Sequence, residues 1–290
     1  MSDPINDIRV VEAGRGAGWW AHGWRNFTSS IGTWIGIMLI YIMITILISV
    51  VPFVGDVGHS LLAPVFIGGL MLGCRAIDRD QPLKVAHLFE GFQTAHFVPL
   101  LTIGAIDIAL TLLMAAVLAA GMSGGGSIMD IMRHGGSDPM EMMSRSAGAL
   151  GIAGLFASLA ALVIGAVMAA LNWFAPALVV LHGARPIDAM KASFIATFRN
   201  WVAFLVYGLI AIALAVVVIL IVAALAVGFG VSMFAGSGIV GMIGMAIVGM
   251  LLLAVFALVV GPIVLGSTYA GYADCFADAS EGDNVNPAYR

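Results

Sequence analysis

The sequence predicts an all-α membrane protein, a polytopic bundle of six transmembrane helices with both termini in the cytoplasm. Of its 290 residues, 61% are hydrophobic and only 10% are charged, and the mean hydropathy is +1.08. Soluble domains carry about 25% charged residues, so this composition excludes a soluble domain. The lengths of the apolar runs and the placement of the basic residues predict the number of spans and their direction.

Six apolar runs are long enough to cross a hydrocarbon core of about 30 Å, which takes about 20 helical residues. They cover residues 31–51, 58–77, 97–121, 148–182, 201–230 and 237–273. The first follows a polar, tryptophan-bearing segment too long for the n-region of a signal peptide, and no small-residue cleavage site comes after it, so we expect it to be retained. We therefore predict a mobile N-terminal arm (1–16), a six-span membrane domain (17–275) and a disordered polar tail (276–290).

Basic residues set the orientation, because Lys and Arg resist translocation across the membrane. Of the 12 basic residues, only Arg133 and Arg145 fall on the side opposite the termini. This asymmetry predicts a bacterial inner-membrane protein with both termini cytoplasmic. The scarcity of basic residues also argues against nucleic acid as a partner.

A proline-bearing apolar helix that runs into polar residues recurs three times, at Pro64, Pro176 and Pro262. An amphipathic segment precedes the first, third and fifth spans. We interpret the chain as three tandem units, each made of a surface-lying amphipathic helix, an outward span and an inward span. Because proline cannot donate to the helical ladder, we expect it to kink each inward span.

The amphipathic segments predict helices that lie in the membrane interface. In the first segment the large apolar residues form one helical stripe: Trp20, Trp24, Phe27 and Ile31. His22, Arg25 and Asn26 lie on the other side of that helix, and tryptophan favours the headgroup level. In the second and third segments, Pro82 and Pro186 suit the first position of a helix.

Asp107 is the one acidic residue inside a predicted span, about 15 Å deep and so near the midplane. An intramembrane carboxylate is a functional candidate by default, and Asn172 in span four has a similar depth and could hydrogen-bond to it. Asp107 either binds a proton or cation in a channel or transporter, or ties two spans together as a neutral carboxyl. The second interpretation is favoured, because no Lys, Arg or second ionisable group lies in a span to relay charge.

Residues 122–147 form a long connection between spans three and four that is rich in glycine and methionine. The candidate ligands in it are Met129, Met132, His134, Met140, Met142 and Met143. Thioether and imidazole groups suit Cu(I), so extracytoplasmic copper handling is one hypothesis. Methionine is also an adaptable apolar residue, and part of this loop could instead be a short helix on the membrane surface.

No catalytic pattern is present: the sequence has no nucleophile elbow, no phosphate-binding loop and no paired carboxylates at a span end. We therefore predict a protein that is not an enzyme and has no cofactor, with Cu(I) as the one ligand to test. The leading hypothesis is an accessory, assembly or lipid-interacting bundle, as a homo-oligomer or in a larger inner-membrane complex. A small-solute, proton or cation channel or transporter using Asp107 is the alternative.

Several stretches carry a family resemblance: Leu62–Arg75 with its Pro-Val-Phe and Gly-Cys-Arg, His87–Phe92, and Phe198–Gly208. With the opening Arg15-Gly16 and Trp19-Trp20, they resemble an uncharacterised proteobacterial family of six-span inner-membrane proteins. The resemblance covers roughly residues 9–276. It implies the six-span topology and no particular activity.

Overall fold

The computed structural model describes residues 8–50, 54–122, 152–232 and 238–276, and in these ranges every regular element is a helix. The helices are α1 (Arg15–Ser29), α2 (Ile31–Ser49), α3 (Val54–Asp78), a 3₁₀ helix (Val85–Phe92), α4 (Thr94–Met122), α5 (Ile152–Asn172), α6 (Ala175–His182), α7 (Pro186–Arg199), α8 (Trp201–Ser232) and α9 (Gly238–Phe276). Six spans are apolar and long enough to cross a membrane: α2, α3, α4, α5 with α6, α8 and α9. The predicted all-α six-span architecture is confirmed, whereas the tandem units and the orientation stay predictions.

The fourth span differs from the sequence prediction of one continuous helix kinked at Pro176. The helix is broken at Trp173 and Phe174, between the end of α5 and the start of α6. Pro176 therefore lies in the first turn of a new helix, where its missing N–H group costs no hydrogen bond. Pro64 and Pro262, by contrast, lie inside the continuous helices α3 and α9.

The break in the fourth span is closed by a side chain from α7. The hydroxyl of Ser193 accepts a hydrogen bond from the backbone N–H of Phe174 at 2.9 Å and donates one to the carbonyl of Ala170 at 2.7 Å. Ser193 is fully buried. A buried helix end needs partners for its free backbone groups, and here a neighbouring helix provides them.

The three short helices dock on the proline-bearing spans in a cyclic order. The 3₁₀ helix packs along α3, α7 packs on α5 and α6, and α1 packs along α9. In terms of the predicted units, each short helix contacts the inward span of the preceding unit, and the first unit closes on the third. The short helices therefore join the spans into one bundle.

Glycines make two of these contacts possible. A Cβ atom at Gly23 of α1 would overlap the backbone carbonyl of Ile263, and a Cβ at Gly91 of the 3₁₀ helix would overlap that of Val65. Each of these carbonyls belongs to the residue directly after a proline, Pro262 or Pro64. Small residues let helices approach this closely in a membrane protein. The face of α7 that packs on the bundle consists mostly of small residues: Ala189, Ala192, Ser193 and Ala196 are buried there together with Met190.

The orientation of α1 differs from our expectation that it lies in the membrane interface. Arg15 lies beside Asp274, and Asn26 lies beside Gly266, so α1 runs antiparallel to the last turns of α9. His22 and Asn26 are 7% and 1% exposed. The helix buries this side because Gly16 and Gly23 lie on it and allow backbone contact with α8 and α9.

The N-terminal prediction also needs correction, because residues 8–16 of the expected mobile arm are docked. The side chain of Asn200 holds this segment: its Oδ1 accepts from the N–H of Val11 at 2.7 Å, and its Nδ2 donates to the carbonyl of Arg9 at 3.0 Å. The N–H of Arg9 donates to the carbonyl of Cys275 at 3.0 Å, and Ile8 is buried. A side chain that satisfies two backbone groups at once replaces the pairing partner that an extended segment needs.

Two smaller predictions fail at the ends of elements. Pro82 does not open the second short helix, which begins at Val85 and is of the 3₁₀ type. Phe276, assigned to the disordered tail, is the last residue of α9 and is buried. The remainder of the tail, residues 277–290, lies outside the described residues.

The bundle has two unlike halves. We call the half that holds the short helices and the adjoining span ends the capped half, and the opposite span ends the distal half. Buried side chains concentrate in the capped half, among them Trp34, Phe66, Leu70, Phe174, Leu178 and Phe276. In α3, 61% of the most apolar stretch is buried, against 6% in α8, where the residues around Ile219 are exposed. The capped half therefore contains the packed core.

Candidate functional site

A buried pair of side chains, His22 and Asp78, joins α1 to the end of α3. The Nε2 atom of His22 lies 3.2 Å from Oδ1 of Asp78, and the two side chains are only 9% and 6% exposed. The pair has ion-pair distance without the alignment of a hydrogen bond. A carboxylate in this position needs a partner, because an unpaired buried charge is costly. His22 and Asp78 therefore couple the docking of α1 to the end of the second span.

Asn26 lies one turn after His22 on the same side of α1. The carbonyl of Asn26 accepts hydrogen bonds from the indole of Trp34 at 3.2 Å and the hydroxyl of Ser29 at 2.8 Å. Its side-chain amide packs over Gly266 and, within the part of the chain that the structure describes, has no hydrogen-bond partner. His22 and Asn26, but not the exposed Arg25, are thus enclosed by α1, α3 and α9.

An ion pair joins the start of α1 to the end of α9. The guanidinium of Arg15 donates from Nε to Oδ2 of Asp274 at 2.8 Å and from an Nη atom to Oδ1 at 2.5 Å. The indole of Trp19 donates to the same carboxylate at 2.7 Å. The hydrogen bond to Asp274 raises the pKa of Arg15 above its usual value, against the opposing effect of partial burial. This two-pronged geometry fixes the orientation of both helices.

The structure brings the two predicted intramembrane polar residues together. The amide Nδ2 of Asn172 donates to Oδ1 of Asp107 at 2.5 Å and to the carbonyl of Met168 at 2.9 Å. Oδ1 of Asn172 is buried and has no hydrogen-bond partner among the described residues. The pair lies where the capped half gives way to the distal half, beside the broken fourth span. Whether it is functional or structural stays a prediction.

The predicted copper ligands lie outside the described residues, since residues 123–151 are not among them. In the described ranges no group of three His, Cys, Asp or Glu side chains could hold a metal ion. Copper handling by the methionine-rich loop therefore stays a hypothesis from the sequence.

The short helices carry large side chains on their outer surfaces. Trp24 of α1 is 54% exposed, Phe89 of the 3₁₀ helix 44% and Phe198 of α7 72%. Trp201, at the start of α8, is also exposed. These aromatic residues surround the capped half on the side away from its core, where tryptophan and phenylalanine commonly meet a membrane interface.

Comparison with known proteins agrees with the architecture. The chain is 30% identical over 276 residues to a probable inner membrane protein from Burkholderia thailandensis, and the match covers 94% of each chain. The chain belongs to the family of this protein. It is an integral, multi-pass inner-membrane protein, as its six apolar spans also indicate. No family model and no solved structure matches it.

Sequence reasoning missed the polar contacts of the capped half. It placed His22 and Asn26 on the side of α1 opposite the aromatic stripe, without a contact there, and assigned no role to Asp78, Asp274 or Asn200. One signal was available: Gly16 and Gly23 are two helical turns apart on that same side. Glycines repeated on one face indicate close helix packing, so the polar residues beside them belong in a contact.

Proposed function

We propose that this family member is a non-enzymatic accessory or assembly protein that interacts with membrane lipids through its capped half. The observation that carries the proposal is that the short helices, although they bury apolar side chains such as Trp19 and Leu88, also expose large aromatic ones: Trp24, Phe89 and Phe198. On the surface of a soluble protein, the outer face of a helix carries polar and charged residues instead. Aromatic rings displayed in this way fit the headgroup level of a bilayer.

The capped half would hold its shape while it contacts lipid. Its short helices are fixed by backbone contact at Gly23 and Gly91 and by the two side-chain pairs. Fixed helices lose little conformational entropy on binding, which favours a scaffold or docking role over a moving part. Oligomerisation or membership of a larger membrane complex is part of the same proposal.

Depth measurement tests the lipid interaction. Cys74 and Cys275 are fully buried, so a spin label on Phe198→Cys in the full chain reports chiefly on the outer surface of α7. In liposomes we expect the label to lie at the headgroup level and to be protected from a water-soluble relaxation agent. Full accessibility to that agent would overturn the lipid interaction. A label at Arg9→Cys, which is exposed on the docked N-terminal segment, is the control expected to remain accessible.

Isolation in native membrane discs tests the accessory role. We expect defined lipids or polypeptides to co-purify with the protein. Recovery of a bare monomer that catalyses saturable solute uptake in liposomes would contradict the proposal and favour the alternative.

The alternative is transport of a proton or cation, and one observation favours it. The Asp107 and Asn172 side chains meet at a break in the fourth span, with Oδ1 of Asn172 left without a described partner. Broken helices that carry polar groups near the membrane midplane are common at transporter binding sites. A structural tie between α4 and α5 accounts for the same contact without further groups, so we rank transport second.

A further inference from the structure

The basic side chains of α7 have no internal ion-pair partner among the residues that the structure describes. Arg185, Lys191 and Arg199 lie on α7 or at its start, and all three are exposed. In the described ranges of the chain none of them forms an ion pair. Asp188 is the acid on this helix. Three bases less one acid give this segment a charge of +2.

Three acids elsewhere in the capped half are directed to internal bases. Three pairs show this: Asp274 with Arg15, Asp78 with His22 at 3.2 Å, and Glu90 with His87 at 3.7 Å. These carboxylates are therefore engaged within the protein. Within the described residues, no acid therefore pairs with the bases of α7.

Large apolar groups accompany this charge. Ile187 and Phe198 are 56% and 72% exposed, and the rings of Phe194 and Phe198 stack with their centroids 5.9 Å apart. Ile187, Lys191, Phe194 and Phe198 follow one another at helical spacing, so they share a face. Rings and aliphatic chains on such a face suit the acyl boundary, while the ammonium reaches the phosphate level.

We infer that this face of α7, with Arg185 and Arg199 at its ends, binds anionic phospholipid headgroups in preference to zwitterionic ones. The inference rests on the proposed lipid interaction and names its lipid class. Charge complementarity favours this occupant. The opposite face of α7 is covered by the bundle, whereas the outer surface carries bases with no ion pair among the described residues, beside the exposed ring of Phe198. Each base near an anionic membrane surface strengthens binding roughly 5-fold.

Native mass spectrometry of the full-length protein tests the inference. The protein is released from detergent micelles that contain equimolar phosphatidylglycerol and phosphatidylethanolamine, and the retained lipids are counted. We expect the wild type to favour phosphatidylglycerol, and Lys191→Gln to lower that preference about 5-fold. Arg185→Gln/Lys191→Gln/Arg199→Gln should bring it close to unity. Asp188→Asn, which removes the acid of α7, should raise it, and added salt should weaken it.

The outcomes separate this inference from the proposed function. A triple variant that unfolds at the wild-type temperature and keeps the full preference would overturn the inference, as would an Asp188→Asn variant with a lowered preference. Should the triple variant fail to fold, Lys191→Gln decides alone, because this exposed residue has no described ion pair. A spin label on Phe198→Cys at headgroup depth without any anionic preference would overturn the inference and leave the proposed function standing.

Discussion

The capped and distal halves are built from the same helices but are stabilised in different ways. Near Asp78 and Cys275 the spans are enclosed by short helices, and polar groups are paired inside the protein. Farther along the same spans, around Leu112 and Ile219, side chains are exposed and apolar on most sides. In lipid there is no hydrophobic driving force to bury apolar side chains. Helices in the distal half therefore associate only through close packing and polar contacts. We infer that the contacts that specify how the helices pack lie mainly in the capped half.

The largest expected effect comes from His22→Leu, which leaves the buried carboxylate of Asp78 without its partner. Removing one member of a buried pair costs about 3–5 kcal/mol. We expect this loss in unfolding experiments in mixed detergent micelles, and His22→Leu/Asp78→Leu should recover most of it. Asp80→Asn is the control: it removes a nearby exposed charge at a positive φ that asparagine tolerates, and should change stability by under about 0.5 kcal/mol. Equal stability of the His22 and Asp80 variants would show that the buried pair of His22 and Asp78 does not stabilise the capped half.

A smaller effect is expected from Gly23→Ala, because the new Cβ would overlap the carbonyl of Ile263 and backbone cannot move aside as a side chain can. Overpacking of this kind costs about 1–3 kcal/mol. Gly165→Ala in α5 is the matched variant in the distal half, where an added Cβ meets nothing within 4 Å. It should be neutral or should stabilise by up to about 1 kcal/mol through helix propensity.

Thiol labelling provides a second measurement of the same comparison. Cys74 and Cys275 are fully buried in the capped half. If α1 loosens in Gly23→Ala, maleimide should label these thiols faster than in the wild type, whereas Gly165→Ala should not change the rate. Similar labelling in both variants would mean that α1 is not what encloses the capped half.

The smallest effect is expected at the boundary between the halves, where Asp107 meets Asn172. Asp107→Leu should lower the free energy of unfolding by about 0.6 kcal/mol, and by no more than about 1.7 kcal/mol, which are the average and the maximum measured for polar contacts between membrane helices. Asp107→Asn should keep the hydrogen bond and leave stability and phenotype unchanged. Loss of function in Asp107→Asn at normal protein level and thermal stability would place the transport alternative first, because an exchangeable charge would then be what mattered.

The fold class and the number of spans could be predicted from the sequence alone, since both follow from the lengths of the apolar runs. It also located Asp107 and Asn172 at a similar depth, because helical rise converts residue number into depth. Where this reasoning failed, a partner distant in sequence was decisive. Asn200 meets Val11, and Ser193 closes the break beside Pro176.

Which face of α1 is buried depends on its tertiary packing and does not follow from its sequence. The composition of α1 does not show whether its aromatic stripe faces the bundle or the membrane, since both surroundings are apolar. The decision rests on Gly16 and Gly23, which let the backbone of α1 touch α8 and α9 and so enclose His22 and Asn26. Close approach of two backbones depends on the shapes of both helices. The sequence pattern of α1 alone does not show which surface of α8 or α9 it will meet.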